Sequence, residues 1–184
     1  MSALVLVLAG TDHHPFDRMV AWADDAAVRH PEVHVVVQHG ASRPPVVAEG
    51  KDFLGHDQLA GLLEAASVVV CHGGPGLITE AREAGHVPLC VPRDPALGEH
   101  VDAHQQRFAA MVGRVGVVRE VLDRATFEVQ LDAALAEGAH RGVGLATVHE
   151  LRDSARAKVA AELDELLAVV RPQPRTRRRS HAGR

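Results

Sequence analysis

Short, unbroken apolar runs recur along the chain, separated by longer stretches of helical period. Ala3 to Ala9, Val33 to Val37, Val68 to Val70 and Val87 to Val91 are such runs. Each is a few residues long and rich in Val, the pattern of parallel strands covered on both faces. Between them, Pro15 to about Val28 reads as a helix closed by His30-Pro31, and His56 to Ala65 as another, with Leu59, Leu62 and Leu63 on one face. Pro75 to Ala84 reads as a third helix, stopped by Gly85. Gly98 to Gln105 leads into a helix ending near Gly113, and Val115 to Val118 reads as a last short strand. Asp123 is an N-cap for a helix to about Glu137. Val46-Val47 and Lys51 to Leu54 are short pieces that leave the place of a third strand open. Strands alternating with helices in this order predict an α/β fold, a parallel sheet with helices on both faces. The expected boundaries are a domain over residues 1–140, a C-terminal docking helix over 141–170 and a basic, disordered tail over 171–184. Within the second segment, residues 138–147 form a glycine-bearing joint and His149 to Val170 a long helix with one apolar stripe.

One stretch carries the chemistry. Val68 to Ala81 reads as a strand, a glycine turn and a helix start. Gly73 and Gly74 permit tight backbone turns and close approach by a ligand. Pro75 suits the first helical position. The free N–H groups of Gly76 and Leu77 would then point out of the helix start, where the helix dipole is positive, and so make an anion site. His72 stands at the strand's end, able to donate to the same anion. Glu80 lies one turn into the helix, able to accept from sugar hydroxyls. A phosphate binder beside a hydroxyl acceptor suggests a nucleotide. The plainer alternative is that the glycines only make a tight corner, as in many α/β domains.

Composition narrows the field. The 184 residues suffice for one domain with a proper core, plus some extra. Aromatic residues make up 3% and Tyr is absent, so no stacking platform for single-stranded nucleic acid exists. Six of the 20 basic residues are arginines in the last fourteen positions, which hold no acid. Residues 1–170 therefore carry 14 basic against 24 acidic groups, net −10. An acidic body with a basic tail is not the footprint of a general nucleic-acid binder. Met1 to Ala9 is too short and lacks the basic start of a signal peptide, and no run reaches membrane-spanning length. Cys71 and Cys90 sit in apolar strand contexts and read as buried free thiols of a reducing cytoplasm. The tail is a candidate for peripheral contact with anionic lipid at the inner face of a membrane. No cofactor is implied and no metal is expected. The thirteen histidines show no ligand spacing with a second shell, and His100 and His104, at i, i+4 on a possible helix, come nearest.

From His72 to Ala109 the sequence HGGPGLITEAREAGHVPLCVPRDPALGEHVDAHQQRFA resembles the donor-binding signature of GT-B glycosyltransferases, above all family 28 C-terminal domains. AGTDHHPFDRMV and VVVQHG resemble the start and second strand of the small catalytic subunits of split family members. The similarity spans roughly residues 1–118. It implies a single Rossmann-like GT-B half-domain that binds a UDP-sugar. His72, Gly73, Gly74 and Gly76 would hold the diphosphate, with Gly10 and Thr11 facing it from the first loop. Glu80 would take the ribose hydroxyls. His104 and Gln105 would read the transferred sugar, with Arg93 and Glu99 nearby, and Asp102 a further neighbour. The sequence departs from the family at three places. Leu77 replaces a small hydroxyl residue, Asp12 stands where relatives carry a His after Gly-Thr, and His86 replaces a Lys or Arg.

A complete GT-B enzyme has two such domains, and this chain supplies the donor half. The resemblance therefore implies a split, metal-independent, inverting hexosyltransferase. Its acceptor, a polyprenyl-diphosphate-linked saccharide of lipid-linked oligosaccharide or exopolysaccharide synthesis, would be bound by a second, membrane-associated subunit. The residues themselves leave two alternatives open, a nucleotide-sugar binding module without turnover and a structural subunit. The general base is not assignable from the sequence.

Overall fold

A computed structural model describes residues 2–138. Six strands are described: β1 (Leu4–Leu8), β2 (His34–Gln38), β3 (Glu49–Lys51), β4 (Val68–His72), β5 (Leu89–Val91) and β6 (Arg119–Glu120). Five α-helices connect or follow them: α1 (Asp17–Arg29), α2 (His56–Ala65), α3 (Pro75–Glu83), α4 (His104–Arg114) and α5 (Arg124–Glu137). All strand pairs are parallel, in the order β3-β2-β1-β4-β5-β6. Residues Met1–Leu145 make one compact unit; the other, Ala146–Arg184, falls outside the described residues, as do the expected joint, terminal helix and basic tail.

Side chains alternate across the pleat, and β1 shows the result. Val5, Val7 and Ala9 pack with Trp22 of α1 and Phe127 and Leu131 of α5. Leu4, Leu6 and Leu8 pack with Leu63 of α2, Ile78 of α3 and Ala109 of α4. Two hydrophobic layers thus sandwich the sheet. Cys71 and Cys90 are cross-strand neighbours on the second face, both free and fully buried. Their mutual hydrogen bond and burial push the Cys71 thiol well up.

The helices fall close to where their periodicity puts them, and three positions differ. The first helix starts at Asp17 rather than Pro15, because Phe16 is fully buried at the cap and gives its N–H to the Ser42 hydroxyl. The third strand is Glu49–Lys51, which lies between the two apolar pieces and shares only Lys51 with the second. Asp24 accepts the N–H groups of Val46, Val47 and Ala48, which pins that segment to α1 and delays sheet pairing. The last strand is Arg119–Glu120 instead of Val115 to Val118. There the α4 terminus curls through Gly116 at φ 73°, with Val117 N–H returning to the Val112 carbonyl. Only then does Arg119 N–H reach the Pro88 carbonyl of the sheet.

Candidate functional site

In open α/β sheets the ligand crevice lies at the strands' C-terminal ends, where strand order reverses. Here the reversal falls between β1 and β4. A cavity of about 410 Å³ opens there. Gly10 and Thr11 line it from the β1 loop, His72 and Gly74 from β4, and Gly76 and Glu80 from α3. Phe53, Leu54 and Leu59 give it an apolar flank. Glu80 also borders a second cavity of about 340 Å³ between α2 and α3.

The α3 terminus has the form the glycine turn predicts. Gly74 is the N-cap and Pro75 the first helical residue. The first intrahelical bond runs from Ile78 N–H to the Gly74 carbonyl at 3.3 Å, so the N–H groups of Gly76 and Leu77 precede it. A Cβ at Gly76 would meet nothing within 4 Å, which leaves its face open to a ligand.

His72 explains two glycines. Its ring lies between the β1 loop and the β4 turn. A Cβ on Gly10 would stand 2.6 Å from His72 Nε2, and one on Gly74 would overlap the ring at Cε1. Gly10 also takes φ 82°, closed to most residues. Gln38, unremarked in the sequence, fixes this loop. It accepts from Gly10 N–H at 2.8 Å and donates to the Gly10 carbonyl at 3.0 Å. A polar residue ending an otherwise apolar strand was the available signal.

Gln105 lies behind the ring rather than in the cavity lining, 3% exposed. Its Oε1 accepts the Arg93 backbone N–H at 3.4 Å and faces His72 Nδ1 at 3.2 Å. An oxygen there assigns the proton to Nδ1 and leaves Nε2 as the lone pair. Gly73 packs against the Gln105 backbone, where a Cβ would be 3.0 Å away. Burial pushes the His72 imidazole down to about 4; Gln105 and Asp12 oppose this, while the Arg93 and His100 charges add to it. The ring is therefore neutral at neutral pH.

Arg93 and Glu99 do not line the cavity either. Arg93, 1% exposed, donates to the carbonyls of Ala9, His14 and Glu99 and lies 4.7 Å from the Phe16 ring centroid. Glu99 forms a two-point ion pair with Arg18 at 2.9 and 2.8 Å and accepts the Asp94 N–H. Both act on the frame that holds the β1 and β5 loops. His104 begins α4, is half exposed and pairs with Asp102. His100 precedes α4, so the two histidines do not share a helix turn. Asp12 accepts both the backbone N–H of His14 and its ring Nδ1, at 2.8 and 2.7 Å. Burial alone would raise the Asp12 carboxyl, but these bonds and the Arg93 charge bring it down to about 2. His86 is buried and its Nε2 meets the Leu63 carbonyl at 2.7 Å, a contact from the loop after α3 to α2.

Comparison with known proteins places this geometry. One solved structure, titled as the glycotransferase of kitacinnamycin, is 24% identical with a TM-score of 0.58; the match covers 89% of this chain and 43% of that one. The calicheamicin glycosyltransferase CalG4 is 20% identical with a TM-score of 0.56, over 93% of this chain and 45% of its own. At these identities the likeness is one of fold, and the chain spans less than half of either protein. No curated protein matches the chain. The sequence model of the glycosyltransferase family 28 C-terminal domain matches residues 4–163. The chain belongs to the glycosyltransferase family 28 C-terminal domain family.

Proposed function

We propose that this chain is the donor-binding, catalytic part of a UDP-sugar-dependent hexosyltransferase. It acts with a membrane-associated acceptor-binding subunit on a polyprenyl-diphosphate-linked saccharide. The observation that carries this is one cavity at the switch point. It combines an open helix N-terminus, a histidine at the strand end and a carboxylate one turn into the helix. The backbone N–H groups of Gly76 and Leu77 meet the diphosphate and stabilise the charge that develops on departing UDP. No ion is needed to bridge that diphosphate. His72 Nε2 presents a lone pair to the anion, so binding takes up a proton and the imidazolium then donates. Glu80 accepts from the ribose hydroxyls. The family membership supports a nucleotide-sugar donor for this cavity. Among the described residues no helix is long and apolar enough to cross a membrane.

Calorimetric titration with UDP, UDP-N-acetylglucosamine and UDP-glucuronate tests the reading. Saturable binding by the wild type, lost in Glu80→Ala with an unchanged circular dichroism spectrum, is expected. Equal binding by Glu80→Ala, or none by the wild type at millimolar ligand, would overturn it.

A further inference from the structure

Beside the donor cavity, two loops bring together more imidazole than any other part of the described chain. The β1 loop supplies Asp12, His13 and His14. The loop between β5 and α4 supplies His100, Asp102 and His104. In each group one ligand atom from every residue falls within 4.8 Å of the others. The groups also join: His100 Nε2 lies 3.4 Å from Asp12 Oδ2. Ring centroids are 3.9 Å apart for His13 and His14, 5.8 Å for His14 and His100, and 4.6 Å for His100 and His104. The sequence hides this arrangement because the ligands come from two distant loops rather than one helix.

We infer that Asp12, His13, His14 and His100 form a binding site for a divalent transition ion of the zinc class. Three neutral imidazoles and one carboxylate are the nitrogen-rich donor set that zinc takes in four-coordinate sites. Donors about 2.0–2.1 Å from a tetrahedral ion stand about 3.3 Å from one another. His13 Nδ1 and Asp12 Oδ1 are 3.5 Å apart, and the His100 to Asp12 separation is already near this value. His14 Nδ1 and Asp12 Oδ1 are 2.7 Å apart, a hydrogen bond that opens by about half an ångström when an ion replaces its proton. The two inner members, His14 and His100, are 22% and 12% exposed, while His13 is 86% exposed and free to swing in.

The ion would tie the β1 loop, which carries Thr11 into the donor cavity, to the loop leading into α4. It does not touch the diphosphate, because none of its ligands lines that cavity. The inference stands apart from the donor reading, and the two fail separately.

The test uses the full chain, stripped of metal, titrated with Co²⁺ followed by visible absorption and with Zn²⁺ by calorimetry. One equivalent with a tetrahedral cobalt band is expected. The double variant His14→Gln/His100→Gln loses that equivalent, and His34→Gln, far along β2, behaves as wild type. UDP titration of the double variant reports that the fold persists without relying on the metal. An unchanged stoichiometry and affinity in the double variant, or no tetrahedral band in the wild type, would overturn the site. Failure of UDP to bind any variant or the wild type bears on the donor reading alone.

Discussion

His72 makes the protein's stability depend on pH in a way that ligand should reverse. The ring is held neutral between two loops, with its proton affinity lowered from an ordinary 6.5 to about 4. In the unfolded chain it protonates freely below 6.5. The native state binds fewer protons than the unfolded one in that window, so stability falls as pH falls from 6.5 towards 4. One unit is worth about 1.4 kcal/mol, which limits the full loss to about 3 kcal/mol and puts about 2 kcal/mol of it between pH 7 and pH 4.5. Against a total of roughly 5–15 kcal/mol this is easily read. Urea unfolding at pH 7 and pH 4.5 measures it, with His72→Gln as the reference because it removes this one imidazole and leaves every other group in place. The wild type should lose about 2 kcal/mol more than the variant. Saturating UDP at pH 5 should restore part of the wild-type loss, since a diphosphate favours the imidazolium. Parallel losses in the two proteins would refute the buried neutral ring.

Four further outcomes follow from the same geometry. Calorimetry of UDP binding near pH 6.5 in buffers of different ionisation enthalpy should show net proton uptake, and affinity should fall as pH rises through the His72 value in the complex; zero uptake would remove His72 from the anion site. Gly74→Ala, whose methyl overlaps the His72 ring, should cost at least about 1–3 kcal/mol in urea unfolding and abolish UDP binding. Gly76→Ala meets open space, so it should keep or slightly raise stability while weakening UDP binding; a stability loss comparable to Gly74→Ala would contradict the open helix start. Arg93→Lys leaves carbonyls of the β1 and β5 loops unpaired and should lower stability by about 1–3 kcal/mol, seen as a lower urea midpoint.

The legible parts of the chain were those fixed by local pattern. Apolar runs of Val and Leu announced the four inner strands, and the glycine turn with Pro75 announced the helix start at its observed residue. The edges were less legible because competing local bonds decide them. Val46 and Val47 have strand propensity, yet Asp24 takes their N–H groups and they lie 91% and 57% exposed. At the site, Gly10, Thr11, His72, Gly74, Gly76 and Glu80 meet in one cavity as their positions at strand ends imply. Gln38, and the placement of Gln105 behind His72, were not legible. Both depend on which way a side chain turns at the end of an element, and no spacing encodes that. The partition of Arg93 and Glu99 into the frame also needed the fold, because their partners lie on the β1 loop and α1.

The buried charges around this site all stand behind it rather than in it. A fully buried guanidinium costs several kcal/mol unless its donors are used. Arg93 uses its Nη donors on carbonyls from three separate places in the chain, while Arg18 and Glu99 neutralise each other across α1 and the β5 loop. Breaking such a pair leaves an uncompensated charge, about 3–5 kcal/mol, so the loops cannot drift without breaking it. The cavity in front is left with backbone N–H groups, an uncharged imidazole, glycine surfaces and the Glu80 carboxylate. That division suits an anionic ligand that must both bind and leave. On the proposed reading, the helix terminus supplies a fixed partial charge and His72 adds a proton when the anion arrives. The rigid frame keeps those groups aimed.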